Sequence, residues 1–86
     1  MIKTIDLITF IVSTTITTCE QFYPFLDDDE YEQLVIHNII YMLEKHLFKV
    51  KKVRTEFDYV FIHVEEFVVA IYLNSLYCRE FIVYSE

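Results

Sequence analysis

The sequence predicts an α+β fold, two N-terminal helices packed on a three- or four-stranded antiparallel β-sheet built from the C-terminal half. Two observations carry this. Apolar residues recur at helical spacing up to Phe48, in two stretches divided by Pro24. From Val50 onward, β-branched and aromatic residues take over in runs of strand length. With 86 residues there is material for one core only, so 1–86 is a single domain.

The first helix is expected over residues 4–23. Ile5, Ile8, Val12, Thr15/Ile16, Cys19 and Phe22/Tyr23 fall at helical spacing, with Thr4 placed to cap and Asp6 in the first turn. Ser13 to Thr18 argue for a strand instead, because five of those six residues are β-branched, but no sustained alternation supports one. The same stretch has the outline of a lipoprotein leader, with Lys3, an apolar run and Cys19. Asp6, the interspersed threonines and the bulky Thr18 before Cys19 depart from that pattern. The run also falls short of the ~20 residues that cross a bilayer. The expectation is a cytoplasmic protein with no membrane partner.

Asp27 to Phe48 is the clearest helix. Asp27 with Glu30 forms a capping-box pattern, and the acidic first turn complements the helix dipole. Leu34, Val35, Ile39, Met42, Leu43 and Leu47 make an apolar stripe, widened by Ile36 and Ile40, so the helix should be enclosed on more than one side. Strands are expected at 49–55, Phe57–Val64, Phe67–Leu73 and Leu76–Tyr84. Two alternatives extend the second helix through Val50 and Val53, or make 66–78 helical.

If Glu65-Glu66 and Asn74-Ser75 are both two-residue turns, strand alternation fixes the faces. Val60, Ile62, Val64, Phe67, Val69, Ile71, Leu73, Leu76, Cys78 and Ile82 form an aliphatic face for the helices. Tyr59, Phe61, His63, Val68, Ala70, Tyr72, Tyr77, Arg79, Phe81 and Val83 form an aromatic one, too apolar for water unless a helix or a partner covers it. Hydrophobic residues make up 55% of the chain, more than so small a domain can hide, so apolar surface should remain for a partner, most simply a second copy. Tyr59, Phe61, Tyr72, Tyr77 and Phe81 are the expected dimer or partner interface.

Charge divides the chain. The net charge is −7, yet residues 45–54 hold five of the seven Lys/Arg and no acid, leaving −12 on the rest. Such a balance repels nucleic acid and attracts basic protein surfaces. Asp27, Asp28, Asp29, Glu30 and Glu32 form the densest cluster, explained by capping and also able to present phosphate-like charge to a basic partner. Lys49, Lys51, Lys52 and Arg54 read as edge-strand protection or, less favourably, as a nucleic-acid contact.

Catalytic and cofactor signals are absent. There is no glycine, which excludes phosphate loops of the P-loop and dinucleotide types. His63-x-Glu65 lacks the C-x-x-C that a zinc deaminase needs. His37 and His46 face opposite ways on a helix, and a Cys78–His63 nucleophile pair has nothing specific to support it. Cys19 and Cys78 are expected as reduced, buried thiols. No cofactor and no metal are expected.

The scarcity of Gly, Ala, Arg and Pro points to an AT-rich gene, of a kind common in phages and viruses. The leading expectation is a non-enzymatic interaction protein, homodimeric, of phage or virus accessory type, which binds and inhibits a basic host protein through acidic surface. The alternative is a homodimeric nucleic-acid-binding or regulatory protein using the basic strip 45–54.

Overall fold

The computed structural model describes residues 2–86. Two helices, α1 (Thr4–Phe22) and α2 (Asp28–Lys45), precede four strands, β1 (Val50–Glu56), β2 (Tyr59–Val64), β3 (Phe67–Tyr72) and β4 (Phe81–Ser85), with a 3₁₀ turn at Leu76–Cys78. The strands form one antiparallel sheet in the order β1-β2-β3-β4. This is the α+β architecture expected from the sequence.

The threonine-rich stretch of α1 stays helical because its hydroxyls bond inside the helix. Thr9, Thr15, Thr17 and Thr18 each donate to the carbonyl four residues back, at 2.7–3.0 Å. Ile8, Ile11, Val12, Ile16 and Cys19 then form its buried stripe. Thr4 does not cap this helix; Lys3 holds the N-cap position without a side-chain bond. In α2 the expected cap is present, with the Glu30 backbone N–H donating to the Asp27 carboxylate at 2.9 Å.

The end of α2 departs from expectation. Phe48 N–H donates to Leu43 O and Leu47 N–H to Glu44 O, both at 3.0 Å, the paired bonds of a Schellman motif. Leu47 therefore sits at φ 67° and is 90% exposed instead of joining the apolar stripe. A chain without glycine fills its left-handed positions with other residues. Phe57 (φ 54°) and Glu65 (φ 52°) each open a two-residue hairpin turn, and Tyr77 (φ 53°) and Cys78 (φ 59°) lie in the connection to β4.

That connection corrects the face assignment of β4. Asn74-Ser75 is not a two-residue hairpin: Ile71 pairs with Phe81, so the link runs from Tyr72 to Glu80. The added residues invert the alternation. Phe81 and Val83 turn to the helices and pack on the core, whereas Ile82 faces away and is 62% exposed. Tyr77 also packs against the core, and Leu76 is exposed.

Both helices lie on the same side of the sheet. Ile8, Val12, Val35, Ile39, Leu43, Val60, Ile62, Val64, Val69 and Ile71 meet in one cluster between the layers. No helix among the described residues covers the opposite side of the sheet, and none is long and apolar enough to cross a membrane.

Candidate functional site

The antiparallel layout sorts the charge to the two ends of the molecule. α2 begins beside the connection to β4, where Tyr31 Oη donates to Tyr77 O at 3.2 Å. Leu73 N–H donates to Asp58 O at 2.7 Å, which brings the β1–β2 turn to the same end. Asp27, Asp28, Asp29, Glu30 and Glu32 therefore share this end with Glu20, Glu56, Asp58 and Glu80. Among the described residues two cations reach this end, and both are engaged: Arg79 by Glu20, with Nε 2.9 Å from Oε2 and a second bond from Nη2, and Arg54 by Glu56 at 2.7 Å. Among the described residues, no cation pairs with any of the five carboxylates at 27–32.

Two of those carboxylates feel the crowding. Hydrogen bonding to the Asp27 carboxyl, with its negative charge, pushes Glu30 above the usual carboxylate range. Burial raises Glu32, helped by Asp29 and Asp28. Beside them is a cleft of about 440 Å³ between the start of α2 and the 73–78 connection. Asp28 and Glu32 stand on its rim, and Pro24, Leu26 and Leu76 supply apolar wall. Such a cleft suits a Lys or Arg side chain, whose stem lies on apolar surface while its head reaches carboxylates.

The basic strip runs into β1, which starts from the opposite end of the molecule, and two of its cations are paired within the described residues. Lys51 Nζ lies 3.3 Å from Glu86, and Arg54 Nη1 lies 2.7 Å from Glu56. Arg54 also stacks over Phe61 at 4.1 Å and donates from Nε to His63 Nε2 at 3.2 Å. Lys49 and Lys52 remain without an acidic partner among the described residues. A continuous phosphate-contacting row is not what this arrangement presents.

The outer sheet face gathers Tyr59, Phe61 and Tyr72 as expected, with Tyr59 stacked on Phe61 at 5.8 Å and tilted on Tyr72 at 5.1 Å. Tyr77 and Phe81 are not with them, for the reason given by the longer connection. Ile82 and Tyr84 occupy that side instead. The face partly covers itself: Val68 and Ala70 are 2% and 3% exposed beneath their larger neighbours. A polar chain from Glu56 through Arg54, His63 and Glu86 to Lys51 crosses it. Because Nε2 accepts from Arg54, His63 carries its proton on Nδ1 and donates it to Glu86 at 3.1 Å. Bonds from His63 and Lys51 hold Glu86 below the usual carboxylate range.

None of the catalytic candidates forms a reactive group. Glu65 accepts the Lys49 backbone N–H at 2.8 Å, a bond that ties the chain before β1 to the β2–β3 turn. Cys78 lies on the helix side of the sheet and His63 on the other, so they do not pair. Both cysteines are free and buried, and burial raises both thiols, Cys78 up to about 11. Among the described residues no cluster of His, Cys, Asp and Glu is placed to hold a metal. Sequence reasoning missed Tyr31, which fills the cleft end of the core; its spacing with Val35, Ile39 and Leu43 was the available signal. Comparison with protein-family models, with curated proteins and with solved structures found no match.

Proposed function

We propose that this protein is a non-enzymatic interaction module that docks its acidic end onto a basic surface of another protein, and that it works as a homodimer. The carrying observation is the cleft beside α2, where Asp28 and Glu32 meet apolar wall and find no cation among the described residues. Capping and the helix dipole account for the acids of the first turn, whereas Glu32 lies past it beside Asp28 and Asp29, a like-charge grouping that opposes folding slightly and supports an external partner. The role is steric and electrostatic blocking of that partner. An AT-rich gene fits a small phage- or virus-type accessory protein acting in a host cytoplasm. The exposed apolar surface at Ile82 and Tyr84 supports self-association.

The test is capture of partners by three proteins in parallel: wild type, Asp28→Asn/Asp29→Asn/Glu32→Gln, and Lys49→Gln/Lys52→Gln. Asp27 is left in place because it caps α2. The expected result is a set of basic proteins retained by wild type and by the lysine variant and lost by the acidic-end variant. An unchanged set on the acidic-end variant would refute the docking site. A gel shift at low salt that depends on Lys49 and Lys52 would favour the nucleic-acid reading instead.

A further inference from the structure

The two edges of the sheet are built differently. Edge strand β1 carries Lys51, Lys52, Arg54 and Glu56 and has a register irregularity between Val50 and Lys52, the charged and bulged devices that keep an edge from pairing. Edge strand β4 has none of them. Phe81–Ser85 contains no charge, no proline and no bulge.

The free main-chain groups of β4 follow from its register. Tyr72 N–H donates to Glu80 O and Glu86 N–H donates to Glu66 O. With Ala70 opposite Ile82 and Val68 opposite Tyr84, these bonds fix Ile82, Tyr84 and Glu86 as the residues that bond to β3. Phe81, Val83 and Ser85 consequently point their N–H and C=O groups outward, three donors and three acceptors in a row.

We infer that this edge is occupied by a second copy of the chain, with β4 pairing antiparallel to its twin about a two-fold axis through Val83. The proposal rests on the homodimer reading above and names its interface. The row is self-complementary. Val83 faces Val83 of the partner subunit, and Phe81 faces the partner's Ser85, in bonded pairs that satisfy all six groups on each strand. The same register sets Ile82 against the partner's Tyr84 on the outer face, joining two exposed apolar side chains in the closely spaced, non-bonded type of pair.

On the helix side α1 packs beside β4, and Ser13 and Thr17 line the depression between them together with the Glu20–Arg79 ion pair. The product is one eight-stranded sheet with four helices on one side. Its cost is electrostatic: Glu80 falls opposite the partner's Glu86, although His63 and Lys51 already engage Glu86.

The experiment is sedimentation over about 1–500 μM at low and moderate salt, with wild type and Ile82→Lys/Tyr84→Lys. Both side chains face away from the helices, so circular dichroism should report an intact fold. The expected result is a wild-type dimer that tightens with salt and a variant dissociating at least about tenfold more readily. Wild type that stays monomeric throughout overturns both the edge pairing and the homodimer reading. A variant that dimerises as wild type does overturns the β4 pairing alone. Should that variant unfold, Ile82→Cys/Tyr84→Cys replaces it. Oxidation to a covalent dimer supports the register, and failure to cross-link in a dimeric sample refutes it.

Discussion

Glu32 shows what one side chain gives up at the acidic end. It stands three and four residues beyond Asp29 and Asp28 on α2, on the same helix face and past the turn where the helix dipole favours acid. Its pKa is raised in the folded state, so the fold takes up its proton more readily than the unfolded chain does. The sign follows: ionised Glu32 destabilises the fold at neutral pH, and the effect fades as pH falls through its folded pKa. Glu32→Gln should raise stability at pH 7 by about 0.5 kcal/mol, from two like-charge pairs, and should match wild type below about pH 3.5. Urea unfolding of both proteins at the two pH values checks this; an equal or lower stability at pH 7 would show the carboxylate to be structural. Glu20 and Glu86 act oppositely. Held below the usual range by Arg79 and by His63 with Lys51, they support the fold above their unfolded pKa and lose that contribution in acid. At this scale the Asp27 cap was legible because capping is local. The bonds of Arg54 to His63 and of Arg79 to Glu20 were not, since they lie across strands or 59 residues away in sequence.

At the scale of elements, the helices and three of the four strands were legible from periodicity, with ends within three residues of those expected. The strand β4 failed for a definite reason. Alternation assigns faces only relative to a known turn length, and a link from Tyr72 to Glu80 in place of a two-residue turn inverts every later side chain. Tyr77 and Phe81 thereby moved from the outer face to the core. Nothing local announces such a link in a chain without glycine, because the residues at positive φ look ordinary. Leu47 is the clearest of these: it reads as the next apolar residue of α2 but serves as its left-handed cap. Its side chain is almost wholly exposed, so replacing it removes little packing. Leu47→Gly should therefore stabilise the protein by about 0.5–1 kcal/mol, the relief of a left-handed non-glycine residue less the added freedom of the unfolded chain. Thermal and denaturant unfolding measure it; a loss of stability would mean that Leu47 makes contacts that outweigh its backbone strain.

At the scale of the whole molecule, the fold turns a chain with a basic middle into a body with one strongly acidic end. The sequence showed the acidic cluster at 27–32. The topology brings Glu20, Glu56, Asp58 and Glu80, from three separate segments, to the same end and supplies a cleft beside it. The same topology divides labour between surfaces. On the proposed reading the acidic end takes a basic partner and the bare β4 edge a second copy, while the outer aromatic face is partly closed by its own polar chain. The β4 edge shares Ile82 and Tyr84 with the outer face but includes none of the residues that line the acidic cleft, so a dimer would present two acidic ends. Amide hydrogen exchange on the complex with a captured basic partner locates the contact directly. The prediction is added protection at residues 27–34, 57–58 and 73–80, with β1 residues 50–54 unchanged. Protection confined to β1 or to the outer face around Phe61 would contradict docking through the acidic end.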